Sequence, residues 1–371
     1  MLNNGKITSF QMGILMYPTI LATAILIVPA ITMKYAHRDA WISPMWASLT
    51  GLLLIYAVIR LNKLYPNHTI IEASEPILGR TLGKTFGFVF FFSYAQDTGF
   101  VIRQYGDFVI GNFLPRTPLI VVMGCMIFVC AISVRCGIEA LARCAQLFVP
   151  LILFFLLLVV LLLTPDLHIN HVLPVMESGI YASIKGAYTP AGWFVDFLFL
   201  SFFLPSLSDQ EKAVKWAVRS MLAIMLTMVV TNIVIILLFG TVAPKLTYPV
   251  MVAARYISLA DFLTHMEALV MAVWVMAIFL KICVYYYAFV LIFGQWLKLA
   301  DYRTAVFPLG LLLVPYSLWV APNIQYMAEF FDKSGVTFFM TIKLLLPLLL
   351  LAVAIVRNKR SHSPQNESGH S

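Results

Sequence analysis

Charged residues are scarce in this chain, and their scarcity excludes most classes of soluble protein. Only 11% of the 371 residues are Asp, Glu, Lys or Arg, whereas 61% are hydrophobic. Soluble domains carry about 25% charged and about 45–50% apolar residues. Uncharged runs at 147–163, 221–239 and 344–356 are long enough, or nearly so, to cross a bilayer at about 1.5 Å per residue. The composition therefore predicts an integral membrane protein embedded in the lipid bilayer.

Cysteine is also sparse, and no CxxC pair occurs, which argues against a disulfide framework or a zinc site. We interpret the cysteines as small buried hydrophobic residues, and we expect neither a metal nor a cofactor. No nucleophile–base arrangement and no pair of carboxylates stands out, so we do not expect an enzyme. The five cysteines lie in or beside apolar segments: Cys125, Cys130, Cys136, Cys144 and Cys283.

The hydrophobic pattern predicts about ten membrane-spanning helices. Turn residues bound several of them: Pro66 and Asn67 follow the second, and Pro322 closes the ninth. The predicted helices cover roughly 8–34, 41–62, 86–112, 118–135, 138–164, 184–205, 212–240, 264–297, 304–321 and 337–357. Segments 66–85 and 246–260 are too polar or too short to span, so we expect them to lie at the interfaces.

The distribution of basic residues predicts the orientation. With the N-terminus inside, fifteen Lys and Arg residues fall in cytoplasmic segments and seven in outer segments, which favours both termini in the cytoplasm. The net charge of +8 is then explained by the cytoplasmic loops and does not indicate a nucleic-acid partner.

The predicted helices divide into two halves of opposite orientation. Residues 1–164 form a first five-helix repeat, 165–183 an outer loop, and 184–357 a second five-helix repeat. The polar segment 358–371 is predicted to be a disordered cytoplasmic tail. The fold class predicted is therefore an all-α polytopic membrane protein with a 5+5 inverted repeat.

Proline interrupts the first helix of each half, at Met16-Tyr17-Pro18-Thr19 and at Tyr188-Thr189-Pro190-Ala191-Gly192. Paired interruptions of this kind indicate the substrate site of an inverted-repeat transporter fold. A broken backbone in hydrocarbon needs protein, water or a ligand to satisfy its polar groups. The alternative for each break is a proline kink packed against neighbouring helices. Candidate ligand-binding residues at the two breaks are Tyr17, Thr19, Ala22, Thr23, Tyr188, Thr189, Gly192 and Asp196.

Polar residues on two further helices extend this candidate site. Asp196 is a lone acid in a predicted span, which costs about 2.5 kcal/mol or more unless it meets a partner or a cavity. It is predicted either to bind an ammonium group of a ligand or to pair with Lys281 or Arg103. We interpret Arg103 and Asp107, four residues apart, as a structural ion pair. The remaining pocket candidates are Tyr94 and Asp97 on the third helix, and Lys281 and Tyr285 on the eighth.

Four stretches resemble the B subunits of bacterial spore germination proteins. They are Ser9-Phe10-Gln11 with Val28-Pro29, the connector 77–84 (ILGRTLGK), 114–118 (LPRTP) and 173–180 (LPVMESGI). The resemblance extends over nearly the whole chain, through the order and spacing of these stretches.

This resemblance implies an amino acid–polyamine–organocation type fold, also called LeuT-like, with helices 1 and 6 unwound around a ligand. It further implies a nutrient receptor that assembles with A and C subunits in the inner membrane of a dormant spore and senses a small nutrient such as an amino acid. In ion-independent relatives of this fold a lysine replaces the charge of a bound sodium, a role open to Lys281. One departure is that the second break carries an extra proline and Asp196 in place of a glycine–acid pair.

Two functions therefore stand as hypotheses. The first is a nutrient sensor that signals to partner subunits, and the second is an amino acid permease that works by alternating access. A conduit for water or ions along helices 1, 3, 6 and 8 is a third possibility, compatible with sensing.

Overall fold

The chain folds as a bundle of long helices in this computed structural model, which describes residues 5–177, 179–257 and 266–361. Short 3₁₀ turns connect several of them. The α-helices are α1 (Ser9–Ala36), α2 (Ser43–Leu64), α3 (Ile70–Leu78), α4 (Arg80–Asn112), α5 (Leu119–Cys136), α6 (Ile138–Leu163), α7 (Gly179–Gly186), α8 (Tyr188–Phe194), α9 (Leu200–Phe203), α10 (Ala213–Phe239), α11 (Pro249–Tyr256), α12 (Met266–Trp296), α13 (Val306–Val320), α14 (Ile324–Lys333), α15 (Gly335–Met340) and α16 (Leu346–Ser361).

Within the described residues, nine helical segments are long and apolar enough to cross a membrane. They correspond to nine of the ten predicted spans. The tenth is α4, whose 33 residues would extend about 50 Å at 1.5 Å per residue. Polar residues along α4, among them Asp97, Arg103 and Gln104, explain why it is less hydrophobic than the other long helices.

The structure corrects three of the boundary predictions and agrees with the short non-spanning segment predicted at 246–260. The connector predicted at 66–85 contains α3, which Thr69 and Glu72 cap reciprocally, and α4 already begins at Arg80. The outer loop predicted to end at 183 ends earlier, because α7 begins at Gly179. Segment 246–260 holds α11, while its last three residues lie outside the described residues. The predicted tail is helical up to Ser361, and 362–371 lie outside the described residues.

The break predicted in the first helix is absent, because α1 runs without interruption from Ser9 to Ala36. Pro18 removes one main-chain hydrogen bond, yet the helix continues through it. The Thr19 hydroxyl donates to the Leu15 carbonyl at 2.7 Å, and the Trp274 indole donates to the Ala22 carbonyl at 2.6 Å. These side chains add hydrogen bonds to carbonyls on either side of the proline, whereas the carbonyl that Pro18 leaves without its helical donor is that of Ile14.

The sixth span, in contrast, is interrupted as expected. A turn at Ala187 separates α7 from α8, and a 3₁₀ segment (Val195–Phe199) separates α8 from α9. The interruption thus extends beyond Gly192 and includes Asp196. Main-chain groups of this irregular stretch are enclosed by protein, since every residue from Thr189 to Leu204 is buried.

The first and sixth spans form the centre of the bundle. In an apolar 18-residue window, 83% of the first span and 94% of the sixth are buried, against only 17% for the span that contains α6. A short parallel bridge joins their ends: Ile7 N–H donates to the Ser206 carbonyl at 2.9 Å, and Ser208 N–H donates to the Ile7 carbonyl at 3.0 Å. The two central spans are therefore tied at one face of the bundle.

Candidate functional site

Four charged side chains meet in the interior of the bundle, where the spans surround them. Asp97 lies on α4, Asp196 in the 3₁₀ segment, Lys281 on α12, and Lys343 between α15 and α16. Each of the four residues is 3% exposed or less. We call these four residues the charge cluster. Its two carboxylates and two ammonium groups balance, which is how buried charges are tolerated in a membrane.

Lys343 lies at the centre of the charge cluster. Its Nζ is 2.7 Å from Asp97 Oδ2 and 2.7 Å from Asp196 Oδ1. A single π-helical turn (Thr341–Leu345) carries this lysine, and such turns are frequent at functional sites. Lys343 thereby connects α4 to the interrupted sixth span through two charge-assisted contacts.

Asp196 has several partners at once. Besides Lys343, the Tyr285 hydroxyl donates to its Oδ2 atom, and Lys281 Nζ lies 3.9 Å from that oxygen. Tyr285 is fully enclosed on α12, one turn after Lys281. Asp196 is consequently held by three groups from two different elements.

Asp97 has fewer hydrogen-bonding partners than Asp196. Its ion pair with Lys343 is close, but among the described residues neither carboxylate oxygen has a hydrogen-bonding partner of good geometry. The Nε2 atom of Gln104, two turns further along α4, and the Tyr94 hydroxyl are also buried without a partner in that part of the chain. Buried polar groups normally find partners, and groups that do not are places where a water or a ligand binds.

A small cavity of about 30 Å³ lies beside these groups. One water molecule occupies about 30 Å³ of liquid, so the cavity has room for water but not for a nutrient molecule. The site is closed in this structure. The residues that line it are Thr23, Asp97, Phe100, Val101, Gln104, Gly192, Trp193, Asp196, Lys281, Tyr285, Phe331, Phe339 and Lys343.

The wall of this cavity connects the first and sixth spans directly. The indole N–H of Trp193 donates to the Thr23 hydroxyl at 2.9 Å, and both side chains are buried. Aromatic rings complete the enclosure: the Trp193 and Phe331 rings lie 5.3 Å apart, and Lys343 Nζ lies 5.2 Å from the centre of the Phe339 ring. The polar groups are therefore surrounded by large apolar side chains.

A larger cavity of about 210 Å³ adjoins the closed one. Gln104 and Phe331 line both cavities. Lys34 at the end of α1 and Lys245 after α10 also line the larger cavity. On the predicted topology these two lysines belong to the outer side, so we call this cavity the outer vestibule. Phe331 and Gln104 therefore belong to the wall that the two cavities share.

The structure brings seven of the predicted site residues together around the closed cavity. Six of them line it, and Tyr94 lies beside it, with its ring centre 5.4 Å from Lys343 Nζ. The six lining residues are Thr23, Asp97, Gly192, Asp196, Lys281 and Tyr285.

The other five predicted site residues are placed elsewhere. Tyr17 and Ala22 line an apolar cavity on another face of α1. The Thr19 hydroxyl donates to its own helix. Tyr188 is 37% exposed and hydrogen-bonds to Thr337 through its hydroxyl, and Thr189 is buried on α8 outside the cavities described. Because α1 remains helical, its residues at successive positions point in different directions, and only Thr23 reaches the closed cavity.

Two ion-pair predictions can be compared with the structure. Arg103 Nε lies 2.9 Å from Asp107 Oδ2, which confirms the structural pair, and Arg103 also donates to the Pro322 carbonyl at 2.9 Å. Asp196 was expected to pair with Lys281 or Arg103, but its closer partner is Lys343. The sequence signal for Lys343 was available, since it is a lone basic residue inside a predicted span.

This chain matches a known protein family over most of its length. A model of the spore permease family, described as spore germination protein, matches residues 6–324. The chain belongs to this family. It is 25% identical to spore germination protein KB of Bacillus subtilis (strain 168) over 378 aligned positions, which cover 99% of both chains. It is 23% identical to spore germination protein XB of Bacillus anthracis, covering 70% of this chain and 72% of that protein.

Solved structures confirm the predicted fold class. Mhp1, a nucleobase-cation-symport-1 family transporter in a closed conformation with bromovinylhydantoin bound, superposes with a TM-score of 0.69, covering 96% of this chain and 80% of that one. MhsT in complex with L-phenylalanine superposes with a TM-score of 0.60, covering 94% and 97%. Both are 13% identical to this chain, so the likeness concerns the fold alone. This spore germination family member is a multi-pass membrane protein with a LeuT-like transporter fold.

Proposed function

We propose that this chain is the nutrient-sensing membrane subunit of a spore germinant receptor, and that the ligand binds at the charge cluster. The observation that carries the proposal is the combination of four buried charges with partnerless polar groups at a closed cavity. Structural ion pairs are usually saturated by their partners, whereas Asp97 and Gln104 retain unused hydrogen-bonding capacity. A buried cavity lined by several charged side chains is a candidate functional site.

An amino acid is the ligand class we propose first. A zwitterion carries one carboxylate and one ammonium group, and the charge cluster offers partners of both signs within a few ångströms. The ammonium group of the ligand would meet Asp97, whose only close partner among the described residues is Lys343 at 2.7 Å from Oδ2 and whose Oδ1 atom has none. Its carboxylate would meet Lys281, which lies 3.9 Å from Asp196 and contacts that acid less closely than Lys343 does.

Ligand binding requires the site to enlarge, because about 30 Å³ cannot hold an amino acid. We propose that Lys343 releases Asp97 and that Phe331 moves away from Gln104, which would join the closed cavity to the outer vestibule. A ligand that binds this open arrangement more tightly shifts the protein toward it, and only such a difference in affinity can produce a signal.

The family membership supports the remaining parts of the proposal. We place the chain in the inner membrane of the dormant spore, with both termini in the cytoplasm, and in a complex with A and C subunits. Ligand binding would change the position of the first and sixth spans, and the A and C subunits would respond to that change. The alternative function, an amino acid permease, would use the same site and would carry the ligand across the membrane.

The test is a bulky substitution at Gly192 in spores. A Cβ atom at this position would lie 3.2 Å from the Val336 side chain, so Gly192→Trp must fill the cavity or displace α15. Gly124→Trp on α5 is the matched control, since no atom lies within 4 Å of its added Cβ. Immunoblots of spore membranes establish that both variants are present at wild-type levels.

We expect Gly192→Trp to abolish germination in response to one nutrient class, while Gly124→Trp germinates normally. Unchanged germination of the Gly192→Trp spores toward every nutrient tested would overturn the proposed site. Uptake of the same radiolabelled nutrient by vesicles that contain this chain without its partners would favour the permease.

A further inference from the structure

A second cavity, of about 80 Å³, borders α1 on a different face from the charge cluster. Pro18, Ala22 and Ile25 line it, whereas Thr23 lines the closed cavity. At 100° per residue, Thr23 lies about 130° from the middle of the stripe that Pro18, Ala22 and Ile25 form. Helix α1 is thus a wall shared by a charged cavity and this second one, which we call the apolar cavity.

The polar groups at the apolar cavity are already occupied. The Tyr17 and Thr227 hydroxyls hydrogen-bond to each other at 2.9 Å, and the Trp274 indole donates to the Ala22 carbonyl at 2.6 Å. A buried water needs two to four polar partners, which this cavity does not offer among the described residues. Cavities of this kind stay dry and take apolar guests.

The mouth of the apolar cavity lies on the membrane-facing surface. Ile25, Phe155 and Leu156 line the cavity and are only partly buried. Their neighbours on α6, Phe154 and Leu157, are 60% and 66% exposed. Because α6 belongs to the least buried candidate span, this surface contacts the hydrocarbon of the bilayer. The cavity is therefore continuous with the lipid-facing surface of the protein.

We propose that the apolar cavity is a binding site for one acyl chain of a bilayer phospholipid. The chain would enter between α1 and α6 and end against Trp274 and Met251, which are 5% and 1% exposed. Each methylene that fills the cavity would supply dispersion contacts that its lining residues lack while the cavity is empty. An acyl chain seated here would support α1 at Pro18, where one main-chain hydrogen bond is missing, and so stabilise the position of the shared wall.

The test uses purified protein in nanodiscs that contain phosphatidylcholine with a diazirine in the middle of one acyl chain. After photolysis, mass spectrometry of peptides locates the crosslinks. We expect labelling at Trp274 and Met251, which ordinary lipid contact cannot reach, besides labelling at the exposed Phe154. Labelling confined to exposed side chains such as Phe154 and Leu157 would overturn the proposal.

Filling the apolar cavity provides the second arm of the experiment. Ala277, 6% exposed, lines the cavity, so Ala277→Leu should remove the crosslinks at Trp274 and leave those at Phe154. Ala223→Leu, on the exposed face of α10, is the matched control and should change neither. Should Ala277→Leu fail to fold, Ile25→Phe at the partly buried mouth between α1 and α6 blocks entry instead. Crosslinks at Trp274 that persist in the folded filled variants would contradict an acyl chain in this cavity.

Discussion

The ammonium group of Lys343 lies 2.7 Å from Oδ1 of Asp196, although 147 positions separate the two residues. The contact joins the interrupted sixth span to the π-helical turn of the last one. Both side chains are 3% exposed, so removal of either partner leaves the other charge buried with little access to water. Their pairing is therefore a condition for packing these two spans together.

Replacement of Lys343 by Met should destabilise the protein by about 3–5 kcal/mol, because it leaves a buried carboxylate without its closest cation. The measurement is thermal unfolding of the detergent-purified protein. Lys212→Met is the matched control, since that lysine is 59% exposed and its 3.9 Å pair with Asp209 contributes about 0–1 kcal/mol.

The double variant Lys343→Met, Asp97→Asn restores the balance of charge in the cluster. It should recover a substantial part of the lost stability, because one lysine and one aspartate then remain. Equal melting temperatures for the single and double variants would contradict a charge-balance role for Lys343.

Trp193 and Thr23 provide the hydrogen bond between the first and sixth spans, and their coupling can be measured directly. Trp193→Phe and Thr23→Val each remove one partner of a buried bond of 2.9 Å. We expect a coupling free energy of about 0.5–1.5 kcal/mol from the double-mutant cycle, the range for a neutral hydrogen bond. A coupling of zero within error would mean that this side-chain pair adds nothing to the packing and to the main-chain bridge that already join the two spans.

The fold could be predicted because a hydrophobic run long enough to span the bilayer identifies a membrane helix. The way in which that helix packs against its neighbours does not alter this identification. The continuity of α1 was less predictable. A proline inside a span predicts either a kink or an unwound stretch, and the choice depends on whether distant groups can satisfy the backbone. Here Trp274, 252 positions from Ala22, donates to the helix, and no local pattern reveals that contact.

The site was partly predictable for the same reason. Asp97, Asp196 and Lys281 stand out as charges inside spans, so their burial follows from their cost in hydrocarbon. Lys343 carries the same signal. Its central position depends on the π-helical turn, which rotates residues on the last span and has no distinct sequence signature here. Tyr17 and Tyr188 were grouped with the site by their nearness in sequence to the prolines, whereas their side chains point elsewhere.

Gly83 permits the close approach of α3 and α4 at the interfacial connector. A Cβ atom added there would lie 2.7 Å from Glu75 Cα and 2.9 Å from Glu75 N, and backbone atoms cannot move aside as a flexible side chain can. Gly83→Ala should therefore cost about 1–3 kcal/mol, the usual range for overpacking. Gly111→Ala, on the same helix with no atom within 4 Å, is the control and should retain the wild-type melting temperature. Wild-type stability of Gly83→Ala would show that the contact between α3 and α4 adjusts without cost.

Phe331 lies on the wall shared by the outer vestibule and the closed cavity, so its truncation should open a passage between them. The reporter is Val101→Cys, a buried position at the closed cavity that no native cysteine lines. With this reporter, Phe331→Ala should raise the rate of modification by a water-soluble thiol reagent about tenfold, which corresponds to a barrier lower by about 1.4 kcal/mol. Phe330→Ala is the matched control, because Phe330 packs on Phe100 and lines neither cavity. Equal rates in the two variants would assign the closure to a group other than Phe331, and a faster rate in Phe330→Ala alone would indicate general loosening of α14 in place of a specific barrier.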